Sequence, residues 1–590
     1  MAQEGGSTRN DRDLQSIQEA RQLARAARQA QDVLAEFSQV QIDGLVDAMA
    51  AAVRPHAEPL ARMAVDETGF GVVADKVQKN RFAAERVHAF IRPIKTVGVV
   101  RRRDDVKVIE IAEPFGVVAA VIPSTNPTST AIYKILIALK ARCAVVLSPH
   151  PSAAACITRA AEIMSEAARD AGAPEHAIGW MRTITLEGTQ ELMRHRDVAV
   201  ILATGGMGLV RAAYSAGKPA YGVGPGNAPA YVERTARVPK AVRDIIAGKT
   251  FDNGVLCSAE NSVVVDQPIA DDVRAQFRAQ GGYFLSREEV DRLADQLVTS
   301  QRLPNPAFVG RSAEEIAERV GIPAPPGTRV LIAPLEGVGR DYPLSIEKLC
   351  PVLSFYVVKD WREGCERCKQ ILRYGGMGHT MSVHSQDDTV VLEFGLRKPA
   401  FRIVVNTPTT LGSIGLTTGL DPAMTLGCGG YGGNITSDNI SPRHLLNIKR
   451  IAYETTPAPV STEAPHAAGT PVATPPLRVA SAAAGQDRLP RVGAGPSRGI
   501  DASSLSRRID RFLASRGYAE ESAAAPPQEA ATPPPAGEPA EFVCEDDVRA
   551  ALAGNGVIVV GARTIVTPAA RDLANAHGVF RQVDWRERDR

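Results

Sequence analysis

No stretch of the sequence approaches the roughly 18 consecutive apolar residues that span a bilayer. The N-terminal Met-Ala-Gln-Glu-Gly-Gly-Ser also lacks the basic start and apolar core of a signal peptide. Both absences lead to the expectation of a soluble, intracellular protein. An excess of charge of one sign is missing too: 68 Lys and Arg against 66 Asp and Glu leave a formal net charge of +2. Such balance gives no global electrostatic reason for nucleic acid or an anionic membrane as partner. The local run Arg101-Arg102-Arg103 is followed at once by Asp104 and Asp105 and reads as a solvated turn. Cysteine is sparse and scattered, with eight residues (143, 156, 257, 350, 365, 368, 428 and 544) in 590. That is unlike the dense framework of a small secreted domain and implies a reducing cytosol.

At about 100–200 residues per domain, the length requires several folded units. Residues 12–90 are rich in Ala, Arg, Gln, Glu and Leu, with Leu14, Ile17, Leu23, Val33, Leu34 and Phe37 at helical spacing, and predict a helical lead-in. From 115 onward, β-rich runs at 115–122, 143–147, 198–202 and 220–223 alternate with helical segments near 128–141 and 207–216. Strand–helix–strand alternation predicts a parallel sheet and a nucleotide-binding α/β domain within 1–250. A second α/β block, 251–430, carries runs at 261–265, 330–332, 352–358 and 403–405, and 431–454 reads as a closing or oligomerisation segment.

After Glu454 the composition shifts to Pro, Ala, Thr, Ser and Gly. Such a segment buries too little apolar surface to offset the entropy of ordering, so 455–500 reads as a disordered linker. Residues 501–518 form an amphipathic pattern, with Leu505, Ile509, Phe512 and Leu513 on one helical face and Arg507, Arg508, Arg511 and Arg516 over much of the rest. A second linker, 519–540, leads to a small module, 541–590, with helices near 545–553 and 568–576 and a strand at 557–560.

The sharpest chemical signal is Phe251-Asp-Asn-Gly-Val-Leu-Cys257-Ser-Ala-Glu260, in which a turn-forming Asn-Gly precedes one cysteine. A cysteine alone is usually a small buried apolar residue. Here it stands in a series: Pro123-Ser-Thr-Asn126-Pro127, Leu147-Ser-Pro-His-Pro151, Ala203-Thr-Gly-Gly206, Gly222-Val-Gly-Pro-Gly-Asn227, Glu347-Lys-Leu-Cys-Pro-Val352, Gly378-His-Thr380 and Leu426-Gly-Cys-Gly-Gly430. In this order the motifs resemble the aldehyde dehydrogenase superfamily over roughly 12–453. Within it they resemble the CoA-acylating branch, represented by propionaldehyde and acetaldehyde dehydrogenases of bacterial microcompartments.

The resemblance implies a two-lobed α/β fold, a Rossmann-like NAD-binding domain plus an α/β catalytic domain, extended by a largely disordered C-terminal tail. It implies Cys257 as the thiolate that adds to an aldehyde. The Asn126 amide and the Cys257 backbone N–H would then meet the developing oxyanion. Pro123, Ser124, Ser148 with Pro149 and His150, Thr204, Gly205, Gly206, Gly224 and Glu347 would hold the dinucleotide, with the choice between NAD and NADP left open. Hydrolysing relatives carry a water-activating glutamate where this chain has Val223. Its absence points to coenzyme A as the second nucleophile, because a thiol attacks a thioester with little help from a base. The expected reaction converts a short aldehyde, propionaldehyde or acetaldehyde, with CoA and NAD to acyl-CoA and NADH. Rival readings are a hydrolysing dehydrogenase and a noncatalytic cargo scaffold.

The tail resembles encapsulation peptides, which implies a bacterial microcompartment lumen and a shell or cargo protein as partner of the 501–518 face. A membrane surface is the alternative partner. A homo-oligomer is expected, and no metal. Cys365-x-x-Cys368 has zinc or redox spacing but no second pair, so both cysteines read as core packing, as do Cys350 and Cys428. His379 and His444 could touch cofactor or thiol, but read first as satisfied structural histidines.

Overall fold

The computed structural model describes residues 4–456, 540, 542–543, 545–554, 556–560, 564–566 and 568–582. Apart from residues 455, 456 and 540, the expected linkers 455–500 and 519–540 lie outside the described residues. So do Cys544 and the helix 501–518 with Leu505, Ile509, Phe512 and Leu513. No helix among the described residues is long and apolar enough to cross a membrane. The chain divides into two compact units, Met1–Thr462 and Glu463–Arg590.

The first unit opens on helices Glu4–Leu34, Gln39–Val53, Ala57–Thr68 and Val73–Arg81. The second of these starts at a capping box in which Ser38 and Gln41 satisfy each other's backbone N–H. In the first helix the buried stripe is Ser16, Ala20, Ala24, Ala27, Ala30 and Leu34. The expected Leu14 and Val33 are instead 64% and 49% exposed. Small side chains let this helix lie close to helix Leu186–Arg194, where a Cβ on Gly188 would stand 1.9 Å from Ser16 Oγ.

Three sheets follow. The five-stranded parallel sheet runs Ile178–Trp180, Val145–Pro149, Val117–Ile122, Val198–Thr204, Ala220–Val223. Two of its three inner strands, Val117–Ile122 and Val145–Pro149, are buried at every position, which explains why they read as apolar runs. The seven-stranded sheet runs Gly282–Phe284, Val330–Pro334, Val352–Val358, Glu260–Asp266, Ala228–Val232, Gly378–His384, Ala400–Val405, with every neighbouring pair parallel. The third sheet is antiparallel: Gly98–Arg103, Val108–Pro114 and Leu446–Ala452.

Two expectations change. Arg101–Arg103 is the end of a strand and not a turn; the turn is at 104–107. Arg101 stands in register with Glu110 across the hairpin, and the Glu110 carboxylate accepts from Arg450 Nε of the third strand at 3.2 Å. The second block also begins before residue 251. Strand Ala228–Val232 belongs to the seven-stranded sheet, and helix Val238–Thr250 buries Val242, Ile245 and Ile246 against Val263 and Val265 of that sheet. The closing segment is a strand that pairs with residues far upstream, Leu446 with Pro114 through Ala452 with Val108.

In the second unit, helices Glu545–Ala553 and Pro568–His577 accompany two parallel strand pairs, Phe542–Val543 with Ile565–Val566 and Ile558–Val560 with Phe580–Gln582. Val543, Val548, Val560, Ala570, Ala574 and Val579 form its small core.

Candidate active site

Open α/β sheets bind ligands beyond the carboxyl ends of their strands, at the point where strand order reverses. In the five-stranded sheet that point is strand Val117–Ile122, flanked by Val145–Pro149 and Val198–Thr204. A cleft of about 460 Å³ opens there. From the first sheet it is lined by Pro123, Ser124, Asn126, Ser148, Pro149, His150, Thr204, Gly205, Gly206, Val223 and Gly224. Cys257 and Glu347 line it from segments that lead into strands Glu260–Asp266 and Val352–Val358. Every residue singled out as catalytic or cofactor-binding from the sequence thus meets in one cavity.

The backbone before Cys257 is unusual. Asp252 and Asn253 have φ of 51° and 52°, and Gly254 follows at 73°, so the turn sits in the sparsely populated left-handed region. Among the described residues, no protein acceptor meets the Cys257 N–H. Gly226 makes room for this loop: a Cβ there would stand 2.1 Å from the Cys257 carbonyl oxygen and 3.2 Å from His379 Cγ.

His379 Nε2 lies 3.2 Å from Cys257 Sγ, and its Nδ1 is 2.9 Å from Thr380 Oγ1. Of the two readings of His379, the structure favours contact with the thiol over a structural role alone. Its ring is satisfied on one side by Thr380 and touches the candidate nucleophile on the other. The residue was visible as part of Gly378-His-Thr380; its partner was not, because 122 positions separate them. Burial pushes the imidazole down to about 3, and Arg402 adds to the effect. His379 is thus neutral at physiological pH, able to accept from the thiol or donate to a thiolate according to its tautomer. Burial, then Glu347 and Cys428, push the Cys257 thiol up to about 12, while Arg402 opposes them. Arg402 donates to the carbonyls of His379 and Gly427 and so packs beneath the site.

Glu347 Oε1 accepts the Gly226 N–H at 2.8 Å, and burial pushes its carboxyl up to about 8. Ser148 Oγ is held by Thr189 Oγ1 at 2.8 Å. His444 is structural: its Nδ1 accepts from the Ser441 N–H at 3.0 Å, and its ring stacks edge-on with Tyr221. Cys350, Cys365, Cys368 and Cys428 are buried in packing positions.

A dinucleotide fits what the cleft offers. Thr204 Oγ1, at the end of its strand, is buried with no protein partner among the described residues. Gly206 is the N-cap of helix Met207–Tyr214, with its Cβ position open. An orphaned buried hydroxyl beside a glycine loop and a helix N-terminus suits a phosphate-bearing ligand.

Together these features define a two-lobed α/β fold, one lobe of dinucleotide-binding form, with a half-buried thiol in the cleft. The sequence profile of the aldehyde dehydrogenase family matches residues 12–282. A solved acetylating aldehyde dehydrogenase from Geobacillus thermoglucosidasius is 50% identical at a TM-score of 0.75, covering 76% of this chain and 99% of that one. A propionaldehyde dehydrogenase from the Clostridium phytofermentans fucose utilisation microcompartment is 29% identical at a TM-score of 0.67, covering 75% and 99%. The bifunctional aldehyde-alcohol dehydrogenase of Escherichia coli K12 is 42% identical over 442 residues, 74% of this chain and 50% of that protein, so the chain spans about half the length of this curated relative. The chain belongs to the aldehyde dehydrogenase family.

Proposed function

We propose that this chain is a CoA-acylating aldehyde dehydrogenase that converts a short aldehyde, acetaldehyde or propionaldehyde, to its CoA thioester. Cys257 would add to the carbonyl carbon as a thiolate, with His379 Nε2 standing 3.2 Å from its sulfur as a neutral hydrogen-bond partner. The Asn126 amide and the Cys257 N–H would hold the oxygen of the resulting thiohemiacetal. A bound NAD or NADP supplies the acceptor for the hydride. Pro123, Ser124, Ser148, Pro149, His150, Thr204, Gly205, Gly206, Gly224 and Glu347 would hold that cofactor. The acyl group left on Cys257 would then pass to the thiol of CoA.

The carrying observation is Val223, a buried apolar side chain that lines the cleft where hydrolysing relatives carry their base. Glu347 is the one carboxylate lining the cleft among the described residues. Its Oε1 is taken up by the Gly226 N–H at 2.8 Å. A thiol needs no such base. The likeness to an acetylating enzyme supports the same product.

The test is steady-state turnover with each aldehyde, with and without CoA. Acyl-CoA is expected as the product, with turnover falling by about 100-fold when CoA is left out, the scale of a missing general base. Free acid at an undiminished rate would overturn the reading.

A homo-oligomer is supported by two sheet edges that are unpaired among the described residues. Strand Ala400–Val405 ends the seven-stranded sheet with Phe401 44% exposed, and Leu446–Ala452 ends the three-stranded one with Ile451 44% exposed. We also propose that residues 501–518 address the enzyme to a bacterial microcompartment. The apolar face Leu505, Ile509, Phe512 and Leu513 and the likeness to a microcompartment enzyme support this.

A further inference from the structure

An oxyanion-hole amide works only if its nitrogen faces the substrate oxygen, and the two ends of a carboxamide have nearly the same shape. Some neighbour must therefore choose the orientation. Asn126 occupies the N-cap of helix Pro127–Lys140, where an Asn side chain ordinarily accepts from a helix N–H, yet it makes no capping hydrogen bond. Its Oδ1 instead accepts from Lys79 Nζ at 2.6 Å. Its Nδ2 donates to Thr125 Oγ1 at 3.1 Å, and among the described residues no second protein acceptor meets it. One N–H is thus left over on a side chain that lines the cleft.

Lys79 is 2% exposed and stands in a buried cluster. Its ammonium also pairs with Asp252, whose carboxylate accepts from Lys76 Nζ at 3.0 Å and from the Val72 N–H at 2.7 Å. Lys76 Nζ in turn donates to the Thr125 carbonyl at 3.2 Å. Lys76 and Lys79 lie three apart on helix Val73–Arg81, on one face. Asp252 opens the left-handed turn that leads to Cys257. Anchoring that turn would account for Lys76 and Asp252. It does not account for Lys79 reaching onward to an amide oxygen in the cleft. Burial, opposed by Asp252, pushes the Lys79 ammonium down to about 8, which leaves it charged at neutral pH.

We propose that Lys79 is a positioning residue: its hydrogen bond to Asn126 Oδ1 turns the amide N–H toward the substrate oxygen, and its pairing with Asp252 couples that amide to the Cys257 turn. The inference rests on the proposed role of Asn126 as oxyanion donor. It adds a residue from the helical lead-in to the reaction. A cation on the carbonyl end also polarises the amide and strengthens its N–H as a donor.

The test is a double-mutant cycle in the full chain, with kcat, the KM values for aldehyde, dinucleotide and CoA, and thermal stability measured for Lys79→Met, Lys79→Gln, Asn126→Ala and the two doubles. Lys79→Met is expected to lower kcat by about 10- to 100-fold with KM for the dinucleotide within about threefold. In the Asn126→Ala background the same change should cost no more than about threefold, because the group it acts through is gone. Lys79→Gln keeps a donor, should lose less, and keeps the cycle readable if the methionine variant does not fold. Retention of kcat within about threefold in both single variants, or a loss that multiplies in full with that of Asn126→Ala, would overturn the proposal. A wild-type enzyme that makes free acid would sink the CoA reading alone, since the cycle can be followed through NADH formation.

Discussion

Cys257→Ala is expected to lower kcat by at least about 10⁴-fold, the scale seen when a covalent nucleophile is removed. Affinity for the dinucleotide should stay within about threefold, because the thiol lines only one wall of the cleft. Among the described residues no other cysteine lines the cleft. Cys350 and Cys428, at 2% and 5% exposure, are buried in packing positions and are absent from the cleft lining. Steady-state kinetics and dinucleotide titration check both halves. A noncatalytic scaffold would lose nothing, so the same variant separates the enzyme from that rival.

The second large effect belongs to Asn126. Asn126→Ala removes one of the two donors proposed for the oxyanion and should lower kcat by about 100- to 1,000-fold, or about 2.7–4 kcal/mol of transition-state stabilisation. Its side chain caps no helix end, so the melting temperature should change little beyond the loss of the Lys79 contact. Asn126→Asp should be worse still, because it sets a carboxylate against a developing negative charge. An Asn126→Ala enzyme with near-normal kcat would show that the residue only shapes the Asn-Pro turn.

The cleft was largely legible in the sequence because its parts are short motifs at strand ends, each with its own turn chemistry: Pro123-Ser-Thr-Asn126, Ala203-Thr-Gly-Gly206 and the Asn-Gly before Cys257. The parallel strands were legible for a different reason. Val117–Ile122 and Val352–Val358 are almost wholly buried and, apart from Ser354 and the Tyr356 hydroxyl, apolar. The hairpin Gly98–Arg103 with Val108–Pro114 was not legible, since its outward Arg101 and Arg102 resemble a charged loop and its third strand arrives more than 300 residues later. The first helix hid its buried face because that face is alanine, which carries little apolar signal. Long-range polar contacts left no local trace. Lys79 and Asp252 are 173 positions apart, and nothing in the sequence around either marks it as a buried partner. A lysine at helical spacing within a charged segment reads as solvated, and only the folded chain reveals that it is not.

The central claim is that acyl-Cys257, with no base to activate water, unloads onto a thiol. Intact-mass and peptide mass spectrometry of the enzyme after aldehyde and NAD, but before CoA, measures this directly. The expected result is an acyl adduct on the peptide holding Cys257 that persists in buffer and disappears as acyl-CoA forms once CoA is added. An adduct that decays to free acid equally fast with and without CoA, or an adduct on any other residue, would contradict it.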